Sequence, residues 1–477
     1  MKSITPTSFY SLLETKFPHT PTATQSVALQ KLAEFTMSSI KDEVFLLKGY
    51  AGTGKTTLIG TLVNSLWKVQ KKAVLMAPTG RAAKVMSNYS NTQAFTIHRK
   101  IYFPKKQSGG GVQFVLAPNK HRDTLFIVDE ASMIPDTAAD SKLFENGSLL
   151  DDLMMFVYSG HKCKLLLIGD TAQLPPVHLV LSPALDADKL SLNYNKEVIR
   201  LELDEVVRQA GDSGILANAT LLREQLQGNF FDDFKFDVNP FTDIVRLIDG
   251  NEIQEAIDSS YSENGKEETA FIVRSNKRAN LYNQNIRERI LFLENDIAVG
   301  DFMMVVKNNY YWLKPSSEAG FIANGDIIEI LEIFDIKEIY TFKFAEVKVK
   351  MVDYPNMAPF ETVLLLDTIA AESPSLSYED GNRLYQEVMK DFTHETSKYK
   401  KFLGVKNNKY FNGLQVKFSY AITCHKSQGG QWNTVFVEQP YLPNGIDKEY
   451  LRWLYTAVTR AKNKLYLIGF KDDFFLE

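Results

Sequence analysis

A glycine-rich segment directly follows a short apolar run near the start of the chain. Residues 49–57 read G-Y-A-G-T-G-K-T-T, and residues 44–47 before them are all apolar. This is the pattern G-x-x-x-x-G-K-[S/T] between a buried strand and an amphipathic helix, which the sequence predicts over residues 56–66. Gly52 and Gly54 let consecutive backbone N–H groups point at one phosphate, and the helix N-terminus adds partial positive charge. The segment therefore predicts a phosphate-binding loop in an α/β protein that binds a nucleotide.

The side chains of this loop supply two further elements of phosphate chemistry. Lys55 is expected to reach the β- and γ-phosphates, and the hydroxyl of Thr56 is expected to complete the shell of a magnesium ion. ATP and Mg²⁺ are therefore the predicted ligands. The loop residues predicted to bind ATP are Gly49, Ala51, Gly52, Thr53, Gly54, Lys55, Thr56 and Thr57.

Length and composition exclude several classes of protein. A chain of 477 residues has room for roughly three domains, each with its own core. Cys163 and Cys424 are the only cysteines, which rules out a disulfide framework and favours a reducing, cytoplasmic setting. No apolar run approaches the ~18 residues of a membrane span, and the N-terminus lacks the apolar core of a signal peptide. The net charge of −4 leaves nucleic acid open as a partner, because local charge decides such binding.

Two sets of apolar runs predict two sheets. Each run is continuous and ends at polar or glycine-containing residues, as strands buried on both faces of a parallel sheet do. Helical patterns separate most of the runs, so each sheet is expected to carry helices on both faces. The segment 297–411 differs, with alternating strands and turn signals such as Asn324-Gly325-Asp326, and predicts a small all-β domain inserted into the second sheet domain. The runs are 44–47, 73–76, 125–128 and 165–168 in the first set, and 270–273, 419–422, 434–437 and 464–468 in the second.

Polar residues follow two further strands of the first set. Asp129 and Glu130 come directly after the third run. An aspartate there can hold the magnesium ion through its water shell, and the glutamate beside it can orient and deprotonate the attacking water. Gln173 follows the fourth run, where a neutral amide can contact both the γ-phosphate and the water. The simpler readings are a solvated acidic pair at a strand end and a proline-containing turn stabilised by Asp170.

The order of these motifs resembles that of superfamily 1 helicases, and within them the 5′→3′ group of RecD-like and Dda-like DNA helicases. The resemblance covers about residues 20–470. The chain begins almost at the first of these motifs, which favours the compact Dda-like plan over the longer RecD-like one. The matching segments are 22–25 (T-A-T-Q), 49–57, 77–83 (A-P-T-G-R-A-A), 96–98 (T-I-H), 129–132 (D-E-A-S), 169–173 (G-D-T-A-Q), 206–209 (V-V-R-Q), 423–429 (T-C-H-K-S-Q-G) and 455–461 (Y-T-A-V-T-R-A).

The resemblance implies roles for residues outside the phosphate loop. Gln25 would read the adenine edge, and Gly429 would join the ATP site. Arg208 and Arg460 lie in the predicted second sheet domain, so they would reach the γ-phosphate from the far side of a cleft and act as fingers when it closes. For Arg208 an ion pair on a helix surface is the alternative. The predicted catalytic residues are Lys55, Glu130, Gln173, Arg208 and Arg460, with Thr56 and Asp129 at the magnesium ion.

A nucleic-acid strand is expected to cross both domains away from the nucleotide. Hydroxyl groups and backbone N–H groups near the strand ends suit phosphate oxygens without reading sequence. His98 and His425 have a simpler reading as satisfied core histidines. The residues predicted to contact the strand are Pro78, Thr79, Arg81, Thr96, His98, Thr423, His425 and Lys426.

Each sheet domain is expected to contain one insert between its strands and helices. Residues 100–103 and 112–116 are predicted to pair as a hairpin, which in the resembled family splits the duplex. The glycine-rich tip at 108–111 offers no apolar wedge, and the polar segment 370–401 has no assigned role. The predicted domains are 1–95 with 123–195 (first RecA-like domain), 96–122 (hairpin insert), 196–296 with 412–477 (second RecA-like domain) and 297–411 (SH3-like insert).

A basic span, residues 398–417, contains six lysines, four aromatic residues and no acidic residue. Lysines along a backbone and aromatic rings under bases are the ingredients of a groove for a single strand. The alternative is a solvated basic face with buried aromatic residues.

Together these observations predict an ATP-dependent 5′→3′ DNA helicase that acts as a monomer on single-stranded DNA and duplex junctions. Two alternatives stay open. One is an RNA helicase of the same superfamily, because phosphate contacts do not distinguish the sugars. The other is a nucleic-acid-stimulated ATPase that remodels complexes without unwinding, which the unremarkable hairpin tip would favour.

Overall fold

The computed structural model of the protein describes residues 4–106, 112–135, 147–207, 212–228, 230–231, 233–314, 317–443 and 445–476. They form two parallel sheets with flanking helices, a closed barrel and a hairpin. Within these ranges, no helix combines the length and the apolar character that a bilayer crossing demands.

The described residues between 4 and 203 form the first sheet domain and the hairpin. Its six-stranded sheet has the order β3-β2-β6-β7-β1-β8, and every neighbouring pair is parallel. The helices are α1 (Pro6–Lys16), α2 (Ala23–Met37), α3 (Lys55–Val63), α4 (Gly80–Ser90), α5 (Ile97–Ile101), α6 (Leu149–Ser159) and α7 (Ala187–Tyr194). The strands are β1 (Glu43–Gly49), β2 (Lys72–Ala77), β3 (Ala94–Thr96), β4 (Tyr102–Lys106), β5 (Val112–Leu116), β6 (Thr124–Val128), β7 (Lys164–Gly169) and β8 (Glu197–Leu203).

The central strands of this sheet are buried on both faces. In β1, Val44 and Leu46 enter the core on one face, while Phe45 and Leu47 enter the core on the other. Successive side chains of a strand point to opposite faces, so a strand covered by helices on both sides must be apolar throughout. The continuous apolar runs that predicted these strands are explained by this two-sided burial.

The predicted boundary between the sheet domains at residues 195 and 196 is wrong. Strand β8 pairs in parallel with β1 and is the edge of the first sheet, not part of the second domain. Its sequence, E-V-I-R-L-E-L, alternates in burial and exposes several polar side chains. An edge strand needs no continuous apolar run, and the apolar-run criterion therefore missed it.

The predicted hairpin is present as the antiparallel pair β4 and β5. It begins two residues later than expected, because Lys100 belongs to helix α5, and the insert proper follows a strand and a helix of the first domain. Its tip at 108–111 lies outside the described residues. Phe114 of β5 packs on Tyr310 and Phe321 of the barrel domain, with ring centroids 4.6 and 6.1 Å away. The hairpin is therefore packed against the barrel through the middle of β5.

The second sheet has five parallel strands in the order β16-β10-β17-β18-β9. Strand β9 adds a neighbour that the sequence did not predict. The strands are β9 (Ile244–Leu247), β10 (Thr269–Val273), β16 (Ala421–Thr423), β17 (Trp432–Glu438) and β18 (Ala461–Ile468). The helices are α8 (Gly214–Gln227), α9 (Gly250–Asn264), α10 (Asn276–Asn285), α14 (Cys424–Ser427) and α15 (Lys448–Val458).

The insert between α10 and β16 is a closed five-stranded barrel. Its last strand lies beyond the predicted end of the insert at residue 411, so that boundary also moves. The missing boundary signal is understandable, since residues 414–423 (L-Q-V-K-F-S-Y-A-I-T) contain no glycine or proline to mark the passage from one strand to the next. The strands are β11 (Phe302–Val305), β12 (Ile327–Ile339), β13 (Phe342–Met351), β14 (Phe360–Leu365) and β15 (Leu414–Phe418), and the helices beside them are α11 (Asp367–Ala370), α12 (Tyr378–Met389) and α13 (Lys398–Lys406).

The basic span covers α13 and the start of the last barrel strand. Tyr410 and Phe411 pack in an apolar cluster between the barrel and helices α12 and α13. Lys409 Nζ lies 2.8 Å from Glu346 Oε1, and Lys417 is buried and donates to backbone carbonyls. These aromatic residues and lysines are used within the barrel domain, which favours the alternative of a basic face over a strand groove.

A buried ion pair joins the barrel to the second sheet domain. Both Nε and Nη2 of Arg287 donate to the carboxylate of Asp301 at 3.0 Å, and the hydroxyl of Tyr420 donates to the same carboxylate at 2.8 Å. Arg287 and Asp301 side chains are 7% and 0% exposed. A charge buried this deeply is stable only when it is paired, so the contact locks the barrel to the chain that enters and leaves it.

We expect Asp301→Ala to lower the free energy of unfolding by about 3–5 kcal/mol, because it leaves the Arg287 guanidinium buried without its partner. Urea denaturation followed by tryptophan fluorescence measures the loss. Asp335→Ala is the matched control, since its ion pair with Lys337 is exposed and such pairs contribute ~0–1 kcal/mol. Equal losses in the two variants would contradict the structural role of the buried pair.

Candidate nucleotide-binding site

A cavity of about 510 Å³ lies between the two sheet domains, where the loops after β1, β6 and β7 face residues of the second domain. Most of the residues predicted to bind ATP or magnesium or to act in catalysis line it. Those from the first domain are Gln25, Ala51, Gly52, Gly54, Lys55, Thr56, Thr57, Asp129, Glu130 and Gln173, and those from the second are Gly429 and Arg460. Gly49 and Thr53 belong to the same segment but do not line the cavity. Arg208 lies outside the described residues.

The phosphate loop has the backbone that its glycines predict. Gly52 and Gly54 have φ values of 75° and 79°, a left-handed conformation that glycine adopts without strain. Lys55 is the first residue of α3, and its ammonium donates to the carbonyls of Gly49 at 2.6 Å and Tyr50 at 2.8 Å. The cation is therefore held across the mouth of the loop at the N-terminus of the helix.

Gln25 is buried at the start of α2, and both ends of its amide are bonded. Its Oε1 accepts from the backbone N–H of Thr22 at 3.0 Å, which completes a capping box. Its Nε2 donates to the carbonyl of Thr53 at 3.0 Å. Gln25 thus ties the helix to the phosphate loop, and its contact with adenine stays a prediction.

The acidic pair is held by its surroundings. Asp129 Oδ1 accepts from the backbone N–H of Glu130, and Asp129 Oδ2 accepts from the hydroxyl of Tyr89, both at 2.8 Å. Burial raises the pKa of Glu130 to about 7; the positive charge of Arg460 opposes this rise, and the charge of Asp129 adds to it. Such a carboxyl is poised to take a proton near neutral pH.

The site contains the oxygen donors that a magnesium ion prefers. Thr56 and Asp129 line the same cavity as the phosphate loop. Magnesium is commonly held by one or two carboxylates together with substrate phosphates and water, so a hydroxyl and one carboxylate are a suitable protein contribution. These residues therefore fit the ion.

Gln173 presents an unpaired acceptor to the cavity. The side chain is 7% exposed, and its Oε1 is buried with no hydrogen-bond partner within the described residues. A buried amide oxygen without a partner is costly, which indicates that it serves a group that binds in the cavity. This matches its predicted contact with the attacking water and the γ-phosphate.

Arg460 reaches the cavity from the second domain. It is 3% exposed and is held by three hydrogen bonds, from Nε to the carbonyl of Thr456, from Nη1 to the carbonyl of Gly430 and from Nη2 to the hydroxyl of Thr459. Because the phosphate loop lies across the interface, the guanidinium is fixed on the side of the cavity opposite Lys55.

The linker between the domains also touches the nucleotide site. The backbone N–H of Val207 donates to the carbonyl of Gly52 at 3.1 Å. The backbone N–H and the hydroxyl of Thr24 both donate to the carboxylate of Glu205. The segment that leads to Arg208 is therefore bonded both to the phosphate loop and to the start of α2.

Sequence reasoning missed two tyrosines at the site. Tyr89 bonds to Asp129 from helix α4, and nothing in its surrounding sequence signals this contact. Tyr455 bonds to Ala51 and Asp170 across the domain interface. It belongs to the segment 455–461 that resembles a helicase motif, so its position in that motif was the available signal.

The predicted strand contacts have mixed environments. Thr79 and Thr96 are the N-caps of α4 and α5, with side chains that accept from backbone N–H groups. Thr423 precedes α14 and makes no such cap bond. Pro78 stands beside Thr79 at the end of β2. These four residues follow ends of parallel strands, as the prediction required, and their contact with nucleic acid stays a prediction.

The four basic residues predicted to contact the strand lie in different environments. The guanidinium of Arg81 stacks on Trp432 of the second domain, 4.0 Å from the ring centroid. Burial lowers the pKa of His98 to about 4, so its imidazole is neutral at pH 7. His425 is exposed. Burial and the nearby charge of Lys417 lower the pKa of Lys426 to about 8.

Comparison with known proteins gives matches along most of the chain. A model of the AAA domain matches residues 32–179, and a model of the UvrD-like helicase C-terminal domain matches residues 418–468. An uncharacterised protein of Methanocaldococcus jannaschii is 25% identical over 92% of this chain, which spans 38% of that protein's length. The ATP-dependent DNA helicase dda of Enterobacteria phage T4 is 26% identical over 91% of this chain and 96% of its own. The ATP-dependent RecD2 DNA helicase of Deinococcus radiodurans is 31% identical over 36% of this chain and 21% of its own.

Two parallel sheets that share one nucleotide cavity, with the phosphate loop on one side and an arginine on the other, define a two-domain P-loop ATPase. The matches to helicase domains and to named helicases narrow this class further. The chain is similar to superfamily 1B helicases of the Dda and RecD type, and its cavity contains the residues expected of an ATP hydrolase site.

We expect Glu130→Gln to retain ATP binding but to lower turnover by about 10²–10⁴-fold, because the amide cannot take the proton of the attacking water. Steady-state hydrolysis and binding of a fluorescent ATP analogue measure the two quantities. Glu197→Gln, at the exposed start of β8, is the control and should change neither. Near-normal hydrolysis by Glu130→Gln would assign the base to another residue.

We expect Arg460→Ala to lower turnover by about 10³–10⁵-fold with little change in ATP affinity, because a finger acts chiefly on charge that develops in the transition state. The kcat and the nucleotide Kd are measured separately, and thermal unfolding confirms that the variant folds. Lys464→Ala removes a cation four residues away, outside the cavity, and should leave both unchanged. Parallel losses of turnover and affinity would instead indicate a ground-state phosphate contact.

Proposed function

We propose that this protein uses ATP hydrolysis between its two RecA-like domains to move 5′→3′ along single-stranded DNA and to unwind duplex ahead of it. The observation that carries the proposal is the composition of the cavity. Lys55 and Glu130 come from one domain and Arg460 from the other, so hydrolysis requires both domains to be correctly aligned.

Each cavity residue has a defined task in hydrolysis. Lys55, at the helix N-terminus, binds phosphate oxygens together with the backbone N–H groups of the loop. Glu130 accepts a proton from the attacking water, and the free Oε1 of Gln173 accepts a hydrogen bond from the same water. Arg460 stabilises charge on the γ-phosphoryl group. A magnesium ion held near Thr56 and Asp129 would neutralise phosphate charge.

Movement along the strand follows from the placement of the phosphate-contacting residues in two different domains. A γ-phosphate contacted from both sides favours alignment of the domains, and its loss removes that attraction. A strand that contacts Thr79 in the first domain and Thr423 in the second would then be gripped alternately as the domains shift. Hydroxyl and backbone contacts to phosphate make the grip independent of base sequence.

Unwinding is assigned to the hairpin. Phe114, in the middle of β5, packs against Tyr310 and Phe321, so the barrel supports the hairpin as an obstacle to the duplex. The barrel itself is held to the second sheet domain by the pair Arg287 and Asp301. The 5′→3′ direction is supported by the resemblance of the motifs to those of the 5′→3′ group, and DNA as substrate by the similarity to the named DNA helicases.

The molecular setting is proposed on separate grounds. Cys163 and Cys424 are free and buried, which is compatible with a reducing, cytoplasmic compartment. A single chain supplies both halves of the cavity, so we propose that a monomer suffices for hydrolysis.

We expect strand-stimulated ATPase with single-stranded DNA of any sequence, and unwinding only of duplexes that carry a 5′ tail. Matched 5′-tailed, 3′-tailed and blunt duplexes of DNA and of RNA, each with and without ATP and Mg²⁺, test the proposal. Glu130→Gln is the control for unwinding driven by contaminants. Efficient unwinding from a 3′ tail alone would reverse the polarity, preference for RNA would change the substrate, and stimulation without unwinding would identify a remodelling ATPase.

A further inference from the structure

The hydroxyl of Tyr455 connects three parts of the molecule. Tyr455 lies on α15 in the second domain and is 1% exposed. Its hydroxyl donates to Asp170 Oδ2 at 2.7 Å and accepts from the backbone N–H of Ala51 at 2.8 Å. Both partners belong to the first domain: Ala51 is in the phosphate loop, and Asp170 follows β7. One buried hydroxyl therefore uses its donor and an acceptor site across the domain interface.

The carboxylate of Asp170 makes this bond a charged one. Asp170 is 2% exposed, and its other oxygen accepts from the backbone N–H of Ala172 at 2.9 Å. Burial, with the charge of Asp170, keeps the pKa of Tyr455 well above its ordinary value, so the hydroxyl remains protonated and able to donate. Hydrogen bonds to ionised groups are stronger and more directional than neutral ones, and this one is shielded from water.

The same helix carries a second cross-domain bond that continues to Arg460. The backbone N–H of Leu174 in the first domain donates to the hydroxyl of Thr456 at 2.9 Å. The carbonyl of Thr456 in turn accepts from Arg460 Nε at 2.9 Å. Tyr455 and Thr456 thus hold the end of α15 against the first domain, five and four residues before the arginine. Tyr455 does not line the nucleotide cavity, whereas Arg460 does.

We propose that Tyr455 is a positioning residue for hydrolysis: by bonding the end of α15 to the phosphate loop and to Asp170, it sets the location of Arg460 relative to the γ-phosphate. The inference rests on the proposed function, because it assumes that Arg460 acts on that phosphate. In this proposal Tyr455 acts by positioning Arg460 and does not contact the nucleotide itself. A change at Tyr455 therefore affects the rate of hydrolysis more than nucleotide affinity.

The test compares Tyr455→Phe with Tyr450→Phe. Tyr450 is buried on the same helix, and its hydroxyl donates to Gln439 Oε1 at 2.6 Å within the second domain. Both variants lose one buried hydroxyl, but only the first loses contacts between the domains. We expect Tyr455→Phe to lower kcat about tenfold with the Kd of a fluorescent ADP analogue within about twofold of the wild type, and Tyr450→Phe to leave both unchanged.

A double-mutant cycle with Arg460→Ala separates positioning from general damage. If Tyr455 acts through Arg460, adding Tyr455→Phe to Arg460→Ala lowers kcat less than about twofold further. The same tenfold loss in both backgrounds, an equal loss in Tyr450→Phe, or a loss of nucleotide affinity without a loss of kcat would each overturn the proposal. Asp170→Asn weakens the same bond from the other side; because Asp170 also lines the cavity, its loss of kcat supports the proposal only if that loss largely disappears in the Arg460→Ala background, and a loss that persists there contradicts it.

Failure of the proposed function would give a different result. All hydrolysis rates are measured with and without single-stranded DNA. The coupling between Tyr455 and Arg460 is calculated from the rates measured without DNA. A wild-type protein whose ATPase is not stimulated by nucleic acid would refute the proposed function, while the coupling between Tyr455 and Arg460 would still be measurable. Absence of coupling in a strand-stimulated enzyme would refute only the role of Tyr455.

Discussion

Neither sheet domain contains the whole set of residues that we propose for hydrolysis. The phosphate loop, the acidic pair and Gln173 follow strands of the first sheet, whereas Arg460 precedes a strand of the second. A guanidinium that must act across an interface is effective only when the interface is held in register, since small errors in position cost large factors in rate. The hydrogen bonds of α15 to the first domain meet this requirement, because they fix the end of the helix that leads to the arginine.

The barrel makes contact with both sheet domains. It is attached to the second by Arg287, Asp301 and Tyr420, which form a buried network with each charge paired. It reaches the first through Lys84, whose ammonium donates to the carbonyl of Val352 at 3.1 Å. The contact with the first domain is partly exposed, so relative motion of the domains disturbs it more easily than the buried one. The barrel therefore belongs mechanically to the second domain.

The parts of the fold that sequence predicted are those with a strict local requirement. A strand buried on both faces must be apolar throughout, and a phosphate loop must place glycine where φ is positive, so both leave a clear pattern. Strand β8 left none, because an edge strand tolerates polar residues. The end of the barrel was also missed, because only two residues separate β15 from the next strand and neither is glycine or proline.

In the candidate site, too, the residues that follow a local sequence pattern were predicted and those that depend on distant contacts were not. Lys55 and Glu130 are fixed by adjacency to a strand, and the sequence shows that adjacency. The contacts of Tyr455 and Arg81 depend on residues several hundred positions apart, and no local pattern encodes them. The aromatic residues of the basic span illustrate the reverse error: composition suggested stacking on bases, but Tyr410 and Phe411 fill a core that only the barrel's closure creates.

Thr79, a predicted strand contact, is the N-cap of helix α4, and the helix carries Tyr89 near its end, where the tyrosine hydroxyl donates to the carboxylate of Asp129. Eleven residues of helix span about 16 Å, so a stiff element joins the two ligand sites. If a bound strand displaces this helix, the hydrogen bond from Tyr89 to Asp129 changes in length. If Asp129 is restrained, the position of Thr79 is restrained through the same helix. Thermodynamic linkage then demands reciprocity: the factor by which a strand alters the affinity for nucleotide equals the factor by which nucleotide alters the affinity for the strand.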